Sequence, residues 1–236
     1  MSAQASAFRL GAREAVGAPI AVIAANYLGF GAFASTTDVP LWVVVVSTFS
    51  MWALPGQLVM VDMWHVGAPL VAVLLSVMLT NARFLPMTIT LLPLLRDRVH
   101  AQWRYYAGAH FIAMMSWAFC MRRCPDLPAH GRMAYLIGHS TVCIAVGCVA
   151  GGCGYLAAGL IPPAIQLGLV FLAPVNFVII LVGDLKERIA LLALVCGATA
   201  GPLLYLVTPQ WSLLLAGFGG GTLAYLINRM LEARRG

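Results

Sequence analysis

The sequence predicts an all-α fold. The expected architecture is a polytopic integral membrane helical bundle, with about six crossings plus two broken or re-entrant segments in one domain spanning 1–236. Three observations predict it. Charged side chains make up 9% of the chain and hydrophobic ones 61%, with mean hydropathy +0.91; soluble domains carry about 25% charged residues. The deficit runs along nearly the whole length, in several apolar stretches of about 20 residues, enough to cross a bilayer core as helix. The arginines that give the net charge of +6 cluster in short gaps between those stretches. Cytoplasmic loops carry them there, so the charge argues for a membrane topology and against nucleic acid.

The apolar segments are 14–34, 40–62, 66–95, 104–121, 133–160, 162–183, 187–207 and 211–229. Turn-forming Pro and Gly mark the gaps between them. The opening "MSAQASAFRLGAREAVGAPI" lacks a short apolar core followed by a small-residue cleavage site and is read without a cleaved signal peptide. Basic residues precede the first segment and follow the third, fourth, sixth and eighth. The gap after the first holds only Asp38, and the gap after the seventh holds no charge. Placing every basic gap in the cytoplasm makes the second and fourth segments return to the side they entered. Both termini are then cytoplasmic.

The second segment contains "WALPGQ". Pro55 and Gly56 in mid-run weaken a helix, and broken backbone at membrane depth is tolerated where protein or a watery cavity covers it. A Pro-kinked ordinary span is the alternative. The fourth segment, interrupted by His110, fits a re-entrant element and a short tilted span equally. Broken segments often come from inverted repeats, but no convincing internal repeat is found here. Gly147 and Gly151, Gly197 and Gly201, and Gly217 and Gly221 stand four apart, a spacing that lets membrane helices approach closely.

Arg83 is the strongest single feature. An arginine deep in a span costs at least about 2.5 kcal/mol on insertion scales. It precedes Arg96, the first interfacial charge, by about 20 Å of helix, too far to snorkel. It therefore faces the protein interior or a cavity, or its segment is broken. Guanidinium binds carboxylate through two parallel hydrogen bonds, so an anion anchor is one reading; a cation capping the carbonyls of a broken helix is the other. Gln57 and Asn81 are neutral polar groups near the breaks that need partners in lipid, and Asn26, Gln166 and Asn176 pose the same question more weakly. His110 and His139 lie in apolar runs and are weak candidates for carrying protons.

No catalytic constellation emerges: the sequence has no paired-His zinc motif, GxSxG, P-loop or dinucleotide fingerprint. No enzymatic activity, cofactor or resident metal is expected. The six cysteines read as small packing residues; Cys143, Cys148 and Cys153 share no helix face, each rotated about 140° from the last. Cys120, Met121, Cys124, His130 and Met133, with Met114 and Met115, suit a soft metal such as Cu(I). The two arginines in "CMRRC" oppose that alternative.

From Phe8 to Tyr225 the order of features resembles the AzlC-type branched-chain amino acid exporters. "FRLGAREAVGAPI" precedes a Gly-containing first span, "NYLGFGAFAS". Ser47 and then "WALPGQ" follow. The family's Asn-x-Arg-His element is similar to Asn81–Arg83, and its Phe-x-x-Pro-x-x-Phe element to Phe171, Pro174 and Phe177. Departures are Leu54, Pro55 and Gly56 before the glutamine, Phe84 for the usual histidine, Ser116 and Trp117 for an acidic pair, and Val170 for an aspartate. The resemblance implies export of valine, leucine, isoleucine or methionine across the bacterial inner membrane. It also implies a heteromeric complex with a small AzlD-type membrane subunit. The expected mechanism is alternating access driven by protons. The substrate carboxylate would sit at Arg83 and exposed helix N-termini, Gln57 and Asn81 would bond its polar groups, and Trp52 and Met87 would pack against its side chain. The competing class is a membrane assembly subunit with no transport path. Oligomeric state stays open.

Overall fold

The computed structural model describes residues 3–65, 67–97, 102–160, 188–207 and 212–233, with isolated positions between 162 and 175. The expected segment 162–183, with Gln166, Asn176, Pro174 and Phe177, lies largely outside the described residues. Those described are helical, with no strand among them. The helices are α1 (Ala3–Ala15), α2 (Ala18–Ala34), α3 (Leu41–Met51), α4 (Leu54–His65), α5 (Leu70–Asn81), α6 (Phe84–Leu95), α7 (Trp103–Ala109), α8 (Met114–Arg123), α9 (Ala129–Ala157), α10 (Arg188–Val207) and α11 (Ser212–Ala233). The chain divides into two compact units, Met1–Ala173 and Pro174–Gly236.

Proline sets many of the helix starts. Pro40, Pro69 and Pro128 sit just before α3, α5 and α9 with extended ψ. Their carbonyls accept the first N–H bonds, from Val43, Ala72 and Gly131. With φ locked and no N–H to satisfy, proline suits a helix entrance. Pro55 follows the same rule. It lies in the first turn of α4, where its missing N–H costs nothing, so it starts a helix rather than breaking one. The second segment breaks earlier, at Trp52, whose backbone is left-handed (φ 48, ψ 41).

The third segment is broken as well. α5 and α6 meet at a 48° bend around Ala82 and Arg83. Pro86 explains where: it has no N–H to offer the Ala82 carbonyl, which instead accepts the tighter bond from Leu85 (3.0 Å). The fourth segment is split between α7 and α8 over residues 110–113. There Ser116 Oγ accepts the Ala113 N–H (2.9 Å) and the hydroxyls of Ser116 and Ser140 both reach the Phe111 carbonyl.

α1 was not foreseen as a helix in its own right. It is amphipathic, burying Ala7, Gly11 and Ala15 at four-residue spacing while Arg9 and Arg13 face outward. Gly17 (φ 129) then allows a 63° bend into α2.

α9 is the spine of the first unit. With the following turn it forms a 32-residue apolar element, Ala129–Leu160, long enough by length and composition to cross a membrane; the bent pairs α1–α2 and α5–α6 pass the same test taken together. α1 and α2 both cross α9 at glycine. A methyl at Gly138 would overlap the Phe8 carbonyl and one at Gly11 the Tyr135 carbonyl; Gly154 and Gly31 stand in the same relation to the carbonyls of Leu28 and Gly151. Each crossing is a reciprocal pair in which a carbonyl of one helix lies on a glycine of the other, close enough for Cα–H···O contacts. The two crossings lie 16 residues apart on α9 (138 to 154), about 24 Å.

Around the first crossing, Leu91, Leu95, Cys120, Cys124, Tyr135 and Leu136 form one apolar cluster; around the second, Tyr27, Phe30, Trp52, Val61 and Cys143 belong to another. Trp42, Phe49, Leu70 and Met78 are exposed, as expected of a lipid-facing surface. In the second unit α10 packs on α11, with Gly197 against Gly220 and Gly201 against Ala216. A methyl at Gly221 would meet nothing.

Candidate functional site

The two breaks lie side by side for a simple reason. α4 and α5 have 12 residues each and are joined by a tight turn with Gly67 in the left-handed region (φ 68), where the Ala68 N–H returns to the Met63 carbonyl. The N-terminus of α4 therefore returns to the level of the C-terminus of α5. They touch at Gly56 and Asn81: a Cβ on Gly56 would sit 2.6 Å from Asn81 Nδ2 and 2.7 Å from Oδ1. The departure at position 56 is what lets the asparagine lie across the break.

Gln57 is completely buried and ties the break together. Its Oε1 accepts the Tyr27 hydroxyl (3.1 Å), and its Nε2 donates to Ser47 Oγ and Thr48 Oγ1 (3.0 Å each). One amide thus joins α2, α3 and α4. Both its amide oxygen and its amide nitrogen are engaged by the protein. Tyr27, which the sequence did not single out, also stacks on Trp52 with ring centroids 5.6 Å apart and planes 4° from parallel. On the α9 side, a Cβ at Gly147 would lie 3.1 Å from Trp52 Cζ3 and 3.3 Å from Tyr27 Cδ2. The indole is wedged between a tyrosine and a glycine, and its Nε1 is buried with no hydrogen-bond partner among the described residues. Asn81 Oδ1 and Asn26 Oδ1 are in the same position.

Arg83 sits at the second break, half-buried, with its guanidinium 5.3 Å from the centroid of Phe84 and within electrostatic range of Tyr27. Phe84, where the resembled family has histidine, gives the cation an aromatic face. α4 and α6 both begin at this junction and α3 and α5 both end there, so helix N-termini, which favour negative charge, and helix C-termini, which favour positive charge, lie together near the guanidinium.

The remaining candidates have partners of their own. Met87, in the first turn of α6, packs against the cluster of Leu91, Leu95 and Cys120. His110 lies between Phe49 and Phe111. His139 is buried between Phe119 and Tyr135, with Cys143 Sγ 3.8 Å from Nδ1. Beside it is a charged node that the sequence did not reveal: Glu14 accepts from Arg123 Nε (2.9 Å) and Nη2 (2.7 Å) and from the Tyr135 hydroxyl (2.6 Å). Cys120 and Cys124 are free thiols buried in apolar surroundings. No group of three His, Cys, Asp or Glu suited to a metal occurs among the described residues.

No curated protein and no solved structure matches the chain. A family model described as AzlC protein matches residues 19–161, which include both breaks, Arg83 and the whole of α9. That match spans more than half of the sequence: this chain belongs to the AzlC family, membrane proteins associated with branched-chain amino acid transport.

Proposed function

We propose that the protein is a secondary transporter that exports branched-chain or other hydrophobic amino acids across the inner membrane, coupled to protons and working with a small AzlD-type subunit. The observation that carries this reading is the junction of two broken segments at Gly56 and Asn81, with Arg83 and the N-termini of α4 and α6 beside it. Broken helices meeting inside a membrane protein are the usual form of a transporter binding site. Their N-terminal ends suit a substrate carboxylate, and a guanidinium adds a bidentate partner for it. The distribution of arginine supports a topology with both chain termini in the cytoplasm.

Flux in reconstituted vesicles tests the reading. Radiolabelled leucine, isoleucine, valine and methionine are followed with and without a pH gradient and with and without the small subunit. Gradient-dependent movement of at least one is expected, and Arg83→Ala should abolish it. Unchanged transport in a well-folded Arg83→Ala protein overturns the role of Arg83. Absence of flux for the whole panel favours the assembly-subunit alternative.

A further inference from the structure

We infer that the charged head of the substrate is read at the break by a donor–acceptor pair, the indole N–H of Trp52 and the side-chain carbonyl of Asn81, which selects a zwitterion with carboxylate and ammonium on one carbon. This rests on the transporter reading and deepens it. It also changes the part that Trp52 plays. The sequence suggests an apolar wall for the substrate side chain, but one face of the ring is stacked on Tyr27 and its edge is wedged against Gly147. What the indole has left to offer is its N–H, and that group has no partner among the described residues although Trp52 is only 6% exposed.

A buried donor without a partner costs about 1–3 kcal/mol, and native proteins rarely keep one without a use. Trp52 carries a second cost at the same position. An aromatic residue at φ 48 is in a region that L-residues seldom occupy, and such strain concentrates at ligand sites held by their surroundings. Here the Gln57 amide supplies the hold, bonding Ser47 and Thr48 before the break from its own place after it.

Asn81 completes the pair. Its Oδ1 is buried and unpartnered among the described residues, and it lies on Gly56, four residues from Trp52. A donor on one broken segment and an acceptor on the other match a carboxylate and an ammonium. Neither alone distinguishes an amino acid from a fatty acid or an amine.

Binding of tritiated leucine to the purified protein in nanodiscs is the test, with isocaproate (leucine without its amine) and isoamylamine (leucine without its carboxylate) as competitors. Unlabelled leucine should compete at least about tenfold better than either analogue, and Trp52→Phe, which keeps an aromatic ring against Tyr27 and removes the N–H together with part of the indole, should weaken leucine binding about tenfold. Equal competition by either analogue, or unaltered affinity in a folded Trp52→Phe protein, overturns the inference and leaves the transporter reading standing. Should that variant not fold, the analogue comparison on the unaltered protein decides. No binding of leucine, isoleucine, valine or methionine overturns the transporter reading and this inference with it.

Discussion

The two halves of α9 are built alike and used differently. At each crossing a glycine of α9 receives a neighbouring helix's carbonyl and a glycine of that neighbour receives one from α9, so the backbones meet with no side chain between them. At the first crossing the chain adds charge: Glu14, Arg123 and Tyr135 form a node reached from solvent, and α1 carries Arg9 and Arg13 on its outer face. At the second the fully buried groups are neutral, Tyr27, Trp52, Gln57, Ser47 and Thr48, and the nearby cation, Arg83, is only half-buried. The same packing device thus supports an ion pair where solvent can share the charge and an uncharged amide network where it cannot. Desolvating an ion pair is costly, while a fully bonded amide is tolerated.

The comparison can be broken most severely at the glycines themselves. Gly154→Leu and Gly138→Leu each place a side chain on a backbone carbonyl that cannot retreat, and both should lose about 3 kcal/mol or more, seen as collapse of the monodisperse fraction in detergent. Equal loss at both positions is the result that the shared geometry requires. Gln57→Leu comes next. It strands the Tyr27 hydroxyl and removes the donor shared by Ser47 and Thr48, whose hydroxyls keep only their bonds to the Val44 carbonyl, costing about 2–3 kcal/mol by thermal melting and weakening leucine binding.

Tyr135→Phe removes one hydrogen bond to Glu14 and should cost about 1 kcal/mol with leucine binding kept, which separates the first crossing from the second by function. A loss of leucine binding in Tyr135→Phe would mean that the two halves of α9 are not separable in this way. The smallest effect belongs to Gly152, on the same helix but with nothing within 4 Å of where a Cβ would stand. Gly152→Ala should be neutral or stabilise by up to about 1 kcal/mol, through helix propensity alone. Destabilisation there would show that a partner covers this face.

The depth of Arg83 in an apolar run was legible in the sequence, and so was the choice it forced: either an inward-facing cation or a broken segment. The second is what the fold adopts, because Pro86 cannot bond to the Ala82 carbonyl. Pro55 and Gly56 advertised a break in the second segment, yet the chain breaks at Trp52, since proline is at ease in a first helical turn. Small residues at helix spacing announced close packing, and Gly147 and Gly151 do lie against α2 and Trp52. Tyr27 and Glu14 went unnoticed. One reads as an ordinary aromatic and the other as one more charge near an end, and their partners lie 30 and 121 residues away.

By itself, the sequence determined that this chain is helical and membrane-embedded, where its apolar segments are interrupted, and which cation lies too deep to be a loop charge. Those properties depend on hydropathy, proline geometry and spacing along one segment. Which groups meet was decided only by the tertiary structure. The equal lengths of α4 and α5 set the two breaks beside each other, and the glycines of α9 let α2 bring Tyr27 onto Trp52 and Gln57. A hydrogen bond between residues distant in sequence has no signature in either residue's neighbours.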